Sequence, residues 1–268
     1  MGFIQEIVEA TRRSVEAPTY AAGVPLRAPR SRPSFVRALE RDRETGALVV
    51  EFKRVSPGQA EPVLPRRSIR QFLDATQAAS PTAFSCLATA SRFEGSPSDV
   101  TELVRSTDRP VLFKDFVVDD RQVEVAARTG ASALLLIARL ESEGHLTRSL
   151  ASLAESAHRH GLEVLLEFHD RTELSRGAGV AADMYGVNAR DLDTLRVDRE
   201  AAAGTVRKAR ESGLRPLLGL SGVEDAADAH RFWTAGVDAI LVGSAAARSE
   251  DPASFLATLR RPSVGGAR

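Results

Sequence analysis

Lysine is nearly missing from this chain. Of its 36 basic residues only Lys53, Lys114 and Lys208 are lysine, and every other one is arginine. Lysine carries a compact charge and a proton it can give up, which arginine does not. The few lysines therefore stand out as candidates for chemistry. Cysteine is scarcer still: Cys86 alone excludes an intramolecular disulfide and fits a reducing compartment. It falls inside a predicted strand and reads as an inert buried thiol. No apolar run approaches the roughly 18 residues of a membrane span, so a transmembrane helix is not expected. Positive and negative charges balance to zero, which argues against a surface for nucleic acid. The start, Met1-Gly2-Phe3-Ile4-Gln5-Glu6, lacks the form of a signal peptide. Together these absences predict a soluble, cytoplasmic protein.

What the chain does have is a repeat. Residues 3–15 carry Phe3, Ile4, Ile7, Val8 and Val15 at near-helical spacing. A proline-rich connector over 17–33 follows, and Ser34 is placed to cap a helix whose apolar face is Phe35, Val36 and Leu39. From residue 47 apolar strands and helices alternate. Strands are predicted at 47–53, 83–88, 111–114, 132–138, 163–168, 184–188, 214–220 and 239–242. Helices are predicted at 66–78, 98–106, 120–129, 143–160, 171–178, 198–212, 223–235 and 252–260. The first of these follows a loop with Ser56, Pro57, Gly58 and Pro62. Eight apolar strands, each with a covering helix, predict a closed (β/α)₈ TIM barrel. An open doubly wound sheet should show a glycine-rich turn after its first strand, and Glu51-Phe52-Lys53-Arg54-Val55-Ser56 has none. The expected organisation is a helical extension over 1–46, the barrel over 47–262 and a flexible tail over 263–268.

In such a barrel the chemistry sits at the carboxyl ends of the strands. Those ends supply Glu51 and Lys53, then Lys114, Glu167, Asn188 with Arg190 beyond it, Ser221 and Gly222, and Gly243 and Ser244. Glu51 and Lys53 are two apart and share a face. A lone strand-end glutamate is more often a salt-bridge partner. Two lysines, two glutamates and an amide facing one mouth are instead suited to acid and base work at neutral pH. Leu220-Ser221-Gly222-Val223 and Val242-Gly243-Ser244-Ala245 place small residues and free backbone N–H groups after strands seven and eight, where barrels bind phosphate. Lys208 lies in a polar helix and reads as a surface residue. His158 and His160 are two apart in another helix, and His169 has Asp170 beside it. No ligand set completes a metal site, so the histidines read as structural or solvated.

These segments resemble the indole-3-glycerol phosphate synthase family of the tryptophan pathway. The resemblance runs from Ser34 to Asp251-Pro252. It is carried by Val50-Glu51-Phe52-Lys53-Arg54-Val55-Ser56-Pro57, Pro110-Val111-Leu112-Phe113-Lys114-Asp115-Phe116, Gly186-Val187-Asn188-Ala189-Arg190-Asp191-Leu192 and Leu241-Val242-Gly243-Ser244. Phe93-Glu94-Gly95-Ser96 fits as well. The resemblance implies ring closure of 1-(2-carboxyphenylamino)-1-deoxyribulose 5-phosphate with loss of CO₂ and water, and no cofactor. It implies Lys114 as general acid, Lys53 as the holder of the departing carboxylate and Glu167 as the acid/base group of dehydration. Glu51 and Asn188 would orient them. Ser56, Ser221, Gly222, Gly243 and Ser244 would surround phosphate with Arg190 nearby, and Phe93 and Phe116 would pack on the anthranilate ring. Association with other tryptophan-pathway enzymes fits the same resemblance.

The chain departs from the family pattern in places. Leu220 stands where the family usually has glutamate before Ser-Gly, Gly58 replaces the second serine of Ser-Pro-Ser, and Ala88-Thr89-Ala90-Ser91 replaces a Thr-Asp/Glu region. A divergent paralogue with altered substrate is therefore an alternative expectation. A non-catalytic barrel that binds phosphorylated ligands is a second one, although binding alone would accept arginine at the two strand ends.

Overall fold

Strands β1 (Ala47–Phe52), β2 (Ala83–Leu87), β3 (Val111–Lys114), β4 (Ala133–Ile137), β5 (Glu163–Phe168), β6 (Met184–Asn188), β7 (Leu217–Leu220) and β8 (Ala239–Val242) pair in parallel, each with the next. β8 pairs back with β1, Val49 opposite Leu241, and the barrel closes. The computed structural model describes residues 2–56, 67–177 and 179–262. Pro57, Gly58 and Pro62 of the loop after β1, and the expected tail over 263–268, lie outside the described residues.

The helices are α1 (Phe3–Glu16), α2 (Phe35–Asp42), α3 (Ile69–Thr76), α4 (Pro97–Arg105), α5 (Asp120–Thr129) and α6 (Ala138–Ser142). They continue as α7 (Leu150–Arg159), α8 (Arg171–Gly177), α9 (Arg199–Glu211), α10 (Ala226–Ala235), α11 (Ser244–Arg248) and α12 (Pro252–Thr258). Side chains that accept from the first turn fix many of the starts, among them Ser68, Ser96, Asp119, Asp198, Asp225 and Asp251.

Two predicted elements come out differently. The helix expected over 143–160 begins only at Leu150, as α7, and the short α6 over 138–142 precedes the expected range. Gly144 is left-handed at φ 73°, and the His145 N–H donates to Leu140 O at 2.8 Å, which ends α6. Ser149 then caps α7. The strand expected from 214 begins at Leu217, because Leu214 donates to Ala209 O and so belongs to the turn that ends α9.

The period-2 alternation of the strands sorts their side chains into two cores. Leu48, Val50, Phe113 and Phe168 face outward against the helices. Val49, Leu112, Leu135, Leu165 and Leu218 face inward and fill the barrel. Burying each such side chain contributes about 1.5–3 kcal/mol. The N-terminal helices close the two ends of this inner core. At the amino ends of the strands, Phe35 and Leu39 of α2 plug the barrel, and the Glu163 carboxylate that begins β5 accepts from Phe35 N at 2.6 Å and Val36 N at 3.1 Å. Ile4, Ile7 and Val8 of α1 pack with Phe93 and Phe116 at the other end.

Candidate active site

The last inward-facing residue of each strand, or the one just beyond it, forms the floor of a cavity of about 940 Å³ counted with its open mouth. The floor residues from β1 round to β8 are Lys53, Leu87, Lys114, Ile137, Glu167, Asn188, Leu220 and Gly243. Phe93, Phe116 and Phe3 of α1 line one side, and Ser56, Arg190, Ser221, Gly222 and Ser244 line the other. All thirteen residues singled out from the sequence border this one space.

Glu51 is the electrostatic centre. Its Oε1 lies 2.6 Å from Lys53 Nζ, and its Oε2 lies 3.1 Å from Lys114 Nζ. Only 4 % of Glu51 is exposed. Burial pushes its carboxyl upward, but the charges of Lys114 and Lys53 outweigh that and hold its pKa at about 2. The two lysines are driven apart by their surroundings. Burial lowers Lys53, and the charge of Lys114 adds to the effect beyond what Glu51 restores. Burial acts on Lys114 too, yet Glu51 and then Glu167 more than offset it, and its pKa is raised. Lys114 is thus kept protonated by two carboxylates from other strands.

Glu167 is 3 % exposed, and burial raises its pKa despite the opposing Lys114 charge and the Asn188 amide. Both polar atoms of the Asn188 amide are engaged: Nδ2 donates to Glu167 Oε1 at 2.9 Å, and Oδ1 accepts from Arg190 N at 3.0 Å. This orients the carboxyl and fixes the start of the loop carrying Arg190. The Arg190 guanidinium in turn donates to Leu195 O at 2.8 Å.

Asp115 anchors the strand end that carries Lys114. Its carboxylate accepts from Thr89 Oγ1 at 2.6 Å, Gln122 Nε2 at 2.9 Å, Phe116 N at 2.9 Å and Tyr20 OH at 3.0 Å. Tyr20 comes from the connector before the barrel. Nothing in the sequence pattern around Tyr20 marks this contact.

Phe93 and Phe116 stand with ring centroids 6.3 Å apart and planes tilted by 32°. They tile a single apolar wall and do not form facing jaws. At the opposite end Ser56 Oγ lies 3.2 Å from Ser244 Oγ. Ser221 and Gly222 are both left-handed, at φ 61° and 77°, which turns the loop after β7 sharply at the cavity edge. Gly243 is required for space: a Cβ there would lie 2.8 Å from Glu51 Oε1 and 2.9 Å from Lys53 Cε. Gly243→Ala is therefore expected to displace both groups and to lower kcat at least about tenfold, because ångström-scale misplacement of reacting groups is costly. Steady-state kinetics beside a thermal melt would check this. Unchanged kcat would show that the pair can shift without loss.

The sequence reading missed apolar lining residues such as Leu87, Leu135, Ile137 and Leu241, because inward-facing aliphatics look alike at every level of a barrel. It also missed Glu224, which lines the rim and pairs with Arg248. Lys208 pairs with Glu211 on the surface, and Cys86 is buried in the outer core. Among the described residues no cluster of His, Cys, Asp and Glu could hold a metal ion, and no helix is long and apolar enough to cross a membrane.

Comparison with known proteins gives this geometry a context. Residues 4–259 match the family model described as indole-3-glycerol phosphate synthase. Proteins named indole-3-glycerol phosphate synthase from Staphylococcus aureus strains bovine RF122 / ET3-1 and Newman are each 33 % identical to this chain over 231 residues. The match covers 86 % of this chain and 85 % of theirs. Among solved structures, a 3-hexulose-6-phosphate synthase aligns with a TM-score of 0.62 at 16 % identity, over 80 % of this chain and 97 % of its own. A thiamine phosphate pyrophosphorylase from Pyrococcus furiosus aligns with a TM-score of 0.56 at 21 % identity, over 82 % of this chain and 95 % of its own. These two share the fold with this chain. With its sequence matched along almost its whole length, the chain belongs to the indole-3-glycerol phosphate synthase family.

Proposed function

We propose that this protein is a carboxy-lyase that converts 1-(2-carboxyphenylamino)-1-deoxyribulose 5-phosphate to indole-3-glycerol phosphate, CO₂ and water, in tryptophan biosynthesis. The observation that carries the reading is the pairing of Lys53 and Lys114 through one buried carboxylate, with Glu167 and Asn188 in the same cavity of a family member.

The chemistry follows from the residue types. Lys114, held protonated, gives its proton to the sugar carbonyl as the ring carbon bearing the carboxylate attacks it. Lys53 holds that carboxylate until the bond to the ring breaks and CO₂ departs. Glu167, with its raised pKa, takes and returns the proton needed to expel water. Ser56, Ser221, Gly222, Gly243 and Ser244 receive the phosphate, with Arg190 beside them, and the Phe93–Phe116 wall takes the flat aromatic ring. No metal or cofactor enters this scheme. The partner is a small phosphorylated substrate rather than nucleic acid or membrane, the compartment is the cytoplasm, and association with other tryptophan-pathway enzymes fits the pathway role.

Adding the substrate and following indole fluorescence tests the reading. Indole emission should grow with time and enzyme; none would overturn it. A second reading, a weakened or divergent synthase, is favoured by Leu220. This side chain is 1 % exposed, opposite Asn188 in the β6–β7 register, and fills space against Gly186. A carboxylate there would add a negative charge to the floor that Lys114 shares. On this reading Leu220→Glu raises kcat several-fold, and an unchanged or lower kcat rejects it.

A further inference from the structure

Glu167, next to last in β5, and Asn188, last in the neighbouring β6, must both keep their place for the proposed reaction. Beyond them both chains turn into loops. One residue ties the two together. His169 directly follows β5, and its ring Nδ1 lies 2.7 Å from the Asn188 carbonyl oxygen. A carbonyl only accepts, so Nδ1 carries the hydrogen. The His169 backbone N–H donates to Glu173 Oε2 at 2.7 Å.

The same contacts close into a ring. Glu173 Oε1 accepts from Arg139 Nε at 2.7 Å, and Arg139 Nη1 reaches Asp191 Oδ2 at 3.0 Å. Asp191 lies in the loop after β6, three residues past Asn188, and its other oxygen accepts from Thr194 N at 2.7 Å. Arg139 stands just after β4 with 13 % of its side chain exposed, and Glu173 has 8 %. The segments that follow β4, β5 and β6 are thus joined by one planar cation and one imidazole. Both lie outside the cavity and touch none of its space.

We infer that His169 and Arg139 are positioning residues for this reaction: the imidazole is a strut that sets the distance between Glu167 and Asn188, and the guanidinium holds the strut in place. This rests on the synthase reading above and adds to it the groups that hold the dehydration site in register. Planar two-armed bonding explains why arginine serves at position 139, since a lysine would reach one partner at a time.

The test uses the full chain. His169→Ala is expected to lower kcat about 10- to 100-fold while KM stays within about threefold, the mark of lost geometry rather than lost binding. His169→Asn can present its Nδ2 hydrogen where Nδ1 stood, and should recover most of kcat. Arg139→Lys, which keeps the cation and suits a case where His169→Ala unfolds, should lose about tenfold in kcat with KM unchanged. In ¹⁵N-histidine-labelled protein, one ring should show the Nδ1–H tautomer, and its signal should vanish in His169→Asn. Wild-type kcat in His169→Ala or in Arg139→Lys would overturn the inference. So would His169→Asn no better than alanine, or an Nε2–H tautomer at His169. Failure of the synthase reading looks different: wild-type protein then makes no indole product, and the positioning role falls with it whatever the tautomer.

Discussion

Lys114→Ala is expected to lower kcat by about 10²- to 10⁴-fold, the usual contribution of a positioned general acid. Substrate binding should survive, because the phosphate end of the cavity and the Phe93–Phe116 wall are untouched. Single-turnover kinetics with a separate binding titration would show this, and normal turnover in the variant would remove the mechanism. A stability effect should accompany it. Glu51 titrates near 2, below the ordinary 4.5, and Lys114 is the larger of its two charge partners. A depressed carboxyl pKa contributes stability that is present above the unfolded-state value and is lost as pH falls through the folded one. That contribution is on the order of 3 kcal/mol in the wild type. Without Lys114 the Glu51 pKa rises toward the unfolded value, so the variant should be less stable at neutral pH. The gap should narrow as pH falls from about 4.5 toward about 2, the window set by the Glu51 shift. Thermal melts across that range would measure it. A gap independent of pH would mean that Glu51 does not depend on Lys114.

Glu167→Gln should cost about as much in kcat, roughly 10²- to 10⁴-fold, because the amide can hold the same hydrogen-bonding space but cannot take a proton. The pH profile gives the sharper test. Glu167 must be ionised to accept a proton, and burial raises its pKa. The acid limb of kcat should therefore lie above the ordinary carboxylate range and should be absent from the residual activity of Glu167→Gln. The Asn188 amide favours the ionised form through its 2.9 Å bond. Asn188→Ala should then move the limb to still higher pH. A shift to lower pH, or no shift, would show that Asn188 does not tune this carboxyl.

Much of the site was legible because a barrel strand has a fixed period. Glu51 and Lys53, two apart, had to share a face, and a lysine at the end of β3 had to reach the same mouth. The eight-fold alternation of strand and helix was equally visible, since each strand is a short apolar run bounded by polar turns. The short α6 and the late start of α7 were not, because the turn between them depends on local backbone bonding at Gly144 and His145. Tyr20 on Asp115 was invisible for another reason. The two are far apart in sequence, and a tyrosine in a proline-rich connector carries no periodic signal. His169 read as structural or solvated and is structural, but its partner could not be named from the sequence, because that partner is a backbone carbonyl, which every residue possesses.

By itself the sequence determined the barrel, the cavity mouth and the side chains that face it, since these follow from period, polarity and the scarcity of lysine. Only the tertiary structure decided the charge state of the site. The low pKa of Glu51 and the raised pKa values of Lys114 and Glu167 arise from burial and from charges on other strands. Those interactions act through space and depend on distance and surrounding dielectric, neither of which is written along the chain.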